Sequence, residues 1–128
     1  MESNSVQELP VAVAVTMLVL SLTVFATALA TKSPDQEPNS IIGIKTRATK
    51  SSKVAWVAAH RVAYPYMVGG ASHCLISAVL IFVLLALDAL PSTGMVIVST
   101  ALAVGGVCIL ALSGIKADRE ARRHVNQD

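Results

Sequence analysis

Three stretches without Asp, Glu, Lys or Arg, each long enough to cross a bilayer, constrain this chain more than any other feature of it. Val11–Thr31 is uncharged over about 21 residues, which at ~1.5 Å per residue spans the ~30 Å hydrocarbon core. Tyr66–Leu87 and Thr93–Ile115 repeat the pattern. In hydrocarbon every backbone N–H and C=O needs a partner inside its own segment, so the reading is an all-α membrane protein with three transmembrane helices. With 54% hydrophobic and 14% charged residues, an ordinary soluble domain is excluded.

The charges assign the sides. Residues 1–10, with Glu2, Glu8 and no basic residue, read as a short extracytoplasmic N-terminus, followed by the first span at 11–31. Residues 32–65 carry Lys32, Lys45, Arg47, Lys50, Lys53 and Arg61 against Asp35 and Glu37, so this loop is expected in the cytoplasm. The second span is placed at 66–90, an outer turn at 91–92, the third span at 93–115 and a basic cytoplasmic tail at 116–128. All 10 Lys and Arg residues then fall on one side, in agreement with the alternation three spans impose. The expected location is a bacterial plasma membrane, N-terminus outside and C-terminus inside. A cleaved signal peptide at Ala28-Leu29-Ala30 is the rival reading. It lacks a basic n-region and would leave the basic loop outside.

Between Ala55 and Leu87 the chain is a nearly unbroken apolar run, ~50 Å long if helical throughout, more than one span needs. Pro65 is the expected break, because it lacks an N–H and biases Tyr64 away from helical angles. That predicts a short interfacial helix from about Ser52 to Tyr64, capped by Ser51 or Ser52. Trp56, His60 and Tyr64 then share one face, flanked by Lys53 and Arg61. Two readings stay open: an anchor in the headgroup layer, or a recognition surface with the preceding loop folded over it.

The segment Asn39-Ser-Ile-Ile-Gly43-Ile44-Lys45-Thr46-Arg-Ala-Thr49-Lys-Ser51, followed by Trp56 and His60, resembles the signature of the SdpI family of membrane proteins. Asn39, Gly43, Ile44, Thr46, Thr49, Ser51, Trp56 and His60 stand at matching offsets. Lys45 replaces the usual Arg, which loses a planar fork for bidentate bonding, and Arg47-Ala48 stands where Pro-Trp is common. The resemblance implies a bacterial membrane protein related to one that protects its producer from a secreted toxic peptide and sequesters a repressor. It also implies a loop that binds a peptide or protein partner or is structural. Gly43 is expected to make a tight turn and Asn39 to bond nearby backbone.

His73 is an ionisable group inside the second span and so a candidate for function, although no acid in the spans completes a proton relay. A hydrogen bond to a neighbouring helix is the simpler role. Cys74 and Cys108 lie at similar depth in antiparallel spans and read as packing residues. The sequence holds no catalytic constellation, metal-ligand spacing or cofactor motif, and no basic field with stacking aromatics for nucleic acid. Gly94, Gly105 and Gly106 permit close helix approach, within the chain, in a homo-oligomer or in a larger membrane complex. The functional expectation is a non-enzymatic binding protein in contact with the lipid bilayer. The alternative is an accessory structural subunit of a larger complex.

Overall fold

A computed structural model describes the backbone of residues 2–125 and the side chains of residues 8–125. The ends of the acidic N-terminus and of the basic tail lie outside the described residues. Three helices make up the described chain: α1 Glu2–Ala30, α2 Lys53–Ala86 and α3 Ser92–Val125. Each contains a stretch long and apolar enough to cross a membrane. α2 is the central element, packed against both α1 and α3, which meet each other less.

The packing inverts the size order of a soluble core. Small residues fill the contacts between helices: Ala14, Ala28, Ala55, Ala59, Ala63, Ala71, Ala78, Ala117 and Ala121 are all buried. Large apolar side chains such as Val19, Leu22, Ile76, Ile97 and Val107 point outward, where lipid receives them. A Cβ on Gly106 would stand 3.1 Å from Cys74 Sγ and 3.4 Å from His73 Cδ2, so this glycine serves contact within the chain. Buried hydroxyls complete the seams: Ser21 Oγ donates to the Ala71 carbonyl of α2 at 2.7 Å.

The separate interfacial helix is not seen. α2 runs unbroken through Pro65 for 34 residues, about 51 Å. Proline deprives the Arg61 carbonyl of its usual N–H partner, yet Arg61 and Pro65 both lie on the exposed side. On the buried side Ala63 and Met67 pack into the cluster with Ala28 and Ala117, which supports the helix on the side opposite the lesion. Ser52 caps the start, its Oγ accepting from Ala55 N–H at 3.1 Å.

At its other end α2 closes on Leu87, with Asp88 at φ 47°. Ala89 N–H donates to the Leu84 carbonyl and Asp88 N–H to that of Leu85, the paired bonds of a Schellman turn. α3 also continues past the apolar layer. Its last turns carry Arg122 bonded to Asp118 at 2.7 Å and Arg123 bonded to Glu120 at 3.1 Å.

Candidate functional site: a loop clamped on the second helix

Residues 39–52 have no periodic apolar pattern, and their shape comes from side chains bonding to nearby backbone. Asn39 Oδ1 accepts from Ile41 N–H at 3.0 Å and Ile42 N–H at 2.7 Å, which turns the chain. Lys45 Nζ reaches back to the carbonyls of Ser40 and Ile41 at 3.1 and 3.2 Å. Those are single bonds that suit an ammonium and have no need of a guanidinium fork. Gly43 follows at φ 117°, a region that L side chains avoid. A Cβ there would stand 2.7 Å from both His60 Nε2 and Trp56 Cζ2, so the glycine also lets the backbone touch α2.

One contact fastens the loop to the helix. Ile44 N–H donates to His60 Nε2 at 2.8 Å, and an N–H can only donate, so Nε2 carries the lone pair. His60 Nδ1 then holds the proton and donates to the Trp56 carbonyl one turn back, also at 2.8 Å. Burial keeps the imidazole neutral by holding its pKa below 6.5, outweighing the opposing pull of the Trp56 carbonyl. His60 precedes the uncharged span 66–87, as does the charged Arg61 beside it.

Beyond the fastening point a second knot forms. Thr49 is fully buried; its Oγ1 accepts from Thr46 N–H at 2.9 Å and donates to the Ile44 carbonyl at 2.7 Å. Thr46 Oγ1 returns the contact, accepting from Thr49 N–H at 3.1 Å. The Arg122 guanidinium first, then the Thr46 hydroxyl, hold the Asp118 carboxyl of α3 below its ordinary pKa. Ile44 and Ala48 pack against the cluster that includes Ala117 and Ala121, so the loop also meets α3. Ser51 Oγ bonds the Ala48 carbonyl at 2.7 Å, ending the loop just before the Ser52 cap.

Of the three aromatic groups on one face, Trp56 is 1% and His60 2% exposed, with ring centroids 4.2 Å apart. Both rings are buried, and the loop backbone at Gly43 lies directly against them. Tyr64, half-buried, carries Lys32 Nζ 5.6 Å from its ring centroid. Trp56 Nε1 is buried without a hydrogen-bond partner among the described residues.

His73 stands apart from this cluster. Its Nε2 donates to the Leu102 carbonyl of α3 at 2.9 Å, with Ser77 Oγ at 3.5 Å. Cys74 is buried and Cys108 exposed, and neither is in a disulfide. Among the described residues no group of three or more His, Cys, Asp or Glu side chains could hold a metal ion.

Sequence reasoning placed the motif residues on one loop but missed that Lys32 and Ser33, just after α1, face Arg61 and Tyr64 across a groove. The basic residues were the available signal, but spacing in sequence does not show that the two ends converge.

The fold and the loop define a class: multi-pass membrane proteins of three helices in which a short polar loop is packed onto the central helix. The family model of the SdpI/YfhL protein family matches residues 36–117, and the chain belongs to that family. The match takes in most of the loop, α2 and the whole uncharged span 93–115 of α3. No curated protein matches the chain, and neither does any solved structure.

Proposed function

We propose that this chain is a non-enzymatic membrane protein of the SdpI type whose clamped loop recognises a peptide or protein partner. One observation carries the reading: the loop is held rigidly from behind while its tip stays bare. Asn39, Ile44, Lys45, Thr46, Thr49 and Ser51 spend polar groups on the fold or the clamp, Gly43 lies against α2, and Trp56 and His60 form the buried seat. Ile41, 82% exposed, and Ile42, 40% exposed, are left facing outward. An exposed apolar pair on a preorganised loop loses little entropy on binding. An apolar groove lined by Pro34, Val54, Val57 and Ala58, with Lys53 and Arg61 at its rim, offers a further contact for such a partner. In this proposal the loop and tail face the cytoplasm of a bacterial plasma membrane, and a peptide partner would fit an immunity-like role.

The alternative is an accessory subunit that docks through its helices. Gly105 and Gly106 face His73 and Cys74 of the same chain, so they are not available for that purpose. This favours the loop.

The test is mild-detergent purification of the tagged protein from its native membrane, followed by mass spectrometry, with Ile41→Asp and Trp56→Ala alongside. Ile41 is exposed, so its substitution leaves the fold intact; a partner lost with Ile41→Asp supports recognition by the tip. A stoichiometric partner set that survives both substitutions would establish the accessory reading instead. The orientation is tested by single-cysteine labelling at Ser40 and Ser92, in a background lacking Cys74 and Cys108. An impermeant reagent added to intact cells should modify Ser92→Cys and spare Ser40→Cys.

A further inference from the structure

Where the chain leaves the apolar layer on its basic side, a groove of about 270 Å³ opens between the exit of α1 and α2. Thr31, Lys32, Ser33, His60, Arg61 and Tyr64 line most of it. We propose that this groove binds the headgroup phosphate of an anionic phospholipid, with Lys32 and Arg61 as its cationic ligands.

Charge is the first argument. No Asp or Glu lines the groove, and the carboxylate of Glu37 is engaged by Lys53 at 3.0 Å. Lys32 and Arg61 have no carboxylate partner among the described residues. Two cations facing one concave space repel each other until an anion enters it. Ser33 supplies a neutral donor: its Oγ accepts from Asp35 N–H at 3.3 Å, which leaves the hydroxyl proton for a ligand.

Depth is the second. Lys32 lies over the Tyr64 ring, and Lys116 lies 6.0 Å from the Tyr66 ring centroid at the loop-side end of the span in α3. Two Lys–Tyr pairs at the edge of the uncharged segments, their tyrosines two residues apart on α2, mark the region where side chains with apolar stems and polar tips settle. A lipid phosphate lies in that region.

Size is the third. One helical turn about 10 Å wide and 5.4 Å tall occupies roughly 400 Å³, so the groove is too small for a docked helix. The groove shares Pro34, Val57 and Arg61 with the apolar groove offered to a partner but not the Ile41 tip, and its test on the reconstituted chain needs no protein partner.

Trp56 is the only tryptophan and its ring stacks on His60, which lines the groove, so its emission reports on this place. The full-length chain is reconstituted in phosphatidylcholine vesicles containing a trace of dansyl-labelled phosphatidylglycerol or, separately, dansyl-labelled phosphatidylcholine. Energy transfer from Trp56 should favour the anionic probe, with an enrichment on the order of tenfold for two cations. K32Q/R61Q should remove the preference and K32R/R61K should keep it. K50Q/R119Q, which deletes equal charge elsewhere on the basic side, should also keep it.

Equal transfer from both probes in the unmodified protein would overturn the proposal. So would an equal loss in K50Q/R119Q, since diffuse attraction would then suffice. Displacement of the labelled lipid by millimolar inorganic phosphate would reassign the groove to a soluble anion. Lys32 follows the last turn of α1, so Lys32→Gln alone decides the matter if Arg61→Gln disturbs α2.

Discussion

The backbone N–H of Ile44 donates to Nε2 of His60 at 2.8 Å, and this bond requires a neutral imidazole. Protonation would put a second donor where Ile44 already donates. Because burial lowers the folded-state pKa of His60 below 6.5, the folded chain binds fewer protons than the unfolded one in the window between the two values. The stability this supplies is complete above about pH 6.5 and disappears as the pH falls through the folded-state value. Hydrogen exchange at Ile44 in reconstituted protein should therefore accelerate, relative to the intrinsic rate, as the pH is lowered from 7.5 to 5. In His60→Asn the dependence should vanish.

Gly43→Ala should loosen the same clamp. The substitution places a Cβ at φ 117° and 2.7 Å from both rings of the Trp56–His60 pair. A cost of about 1–3 kcal/mol follows, read as a lower unfolding midpoint in detergent and a red shift of Trp56 emission. Gly69→Ala is the matched control. A Cβ at that helical position meets nothing within 4 Å, so the midpoint should hold or rise by about 0.5–1 kcal/mol.

Thr49→Val conserves shape and deletes the central hydroxyl of the second knot. Thr46 N–H and the Ile44 carbonyl both lose their partner. The expected cost is about 1–3 kcal/mol, with the loop becoming sensitive to limited proteolysis near Lys45 and Arg47 while the helices resist. Equal proteolysis of variant and parent would show that Thr49 does not hold the loop.

Gly106→Leu should act at a different level of the molecule. Its side chain would enter the space held by Cys74, His73 and Met17, one residue from each neighbouring helix and a second from α2. Overpacking of about 1–3 kcal/mol is expected in thermal unfolding in detergent. The loop should keep its protection, since the site lies some 20 Å along α2 from His60.

The spans were legible because charge is expensive in hydrocarbon, and its absence from Val11–Thr31, Tyr66–Leu87 and Thr93–Ile115 is a direct trace of that cost. The family was legible because its residues recur at particular offsets in the loop. The course of α2 through Pro65 was not. Whether a proline breaks a helix depends on what packs opposite it, and Ala28 and Ala117 are distant in sequence from Ala63 and Met67. Trp56 was half legible: helical spacing puts it on a face with His60 and a loop folded over that face was one of two open readings, but nothing local chooses between them. Likewise the groove of Lys32 and Arg61 exists only after α1 and α2 have been brought together.

The continuity of α2 makes it a lever. An unbroken helix of about 51 Å leaves no loop between the Asp88 turn and the Trp56–His60 seat to take up a change of slope. Pivoting by about 10° at the Asp88 turn would sweep the Trp56–His60 seat sideways by roughly 7 Å, and the loop fastened to it would travel as one piece. Membranes of different thickness tilt helices to different extents. A change of bilayer thickness that tilted α2 would carry the Ile41 tip with it.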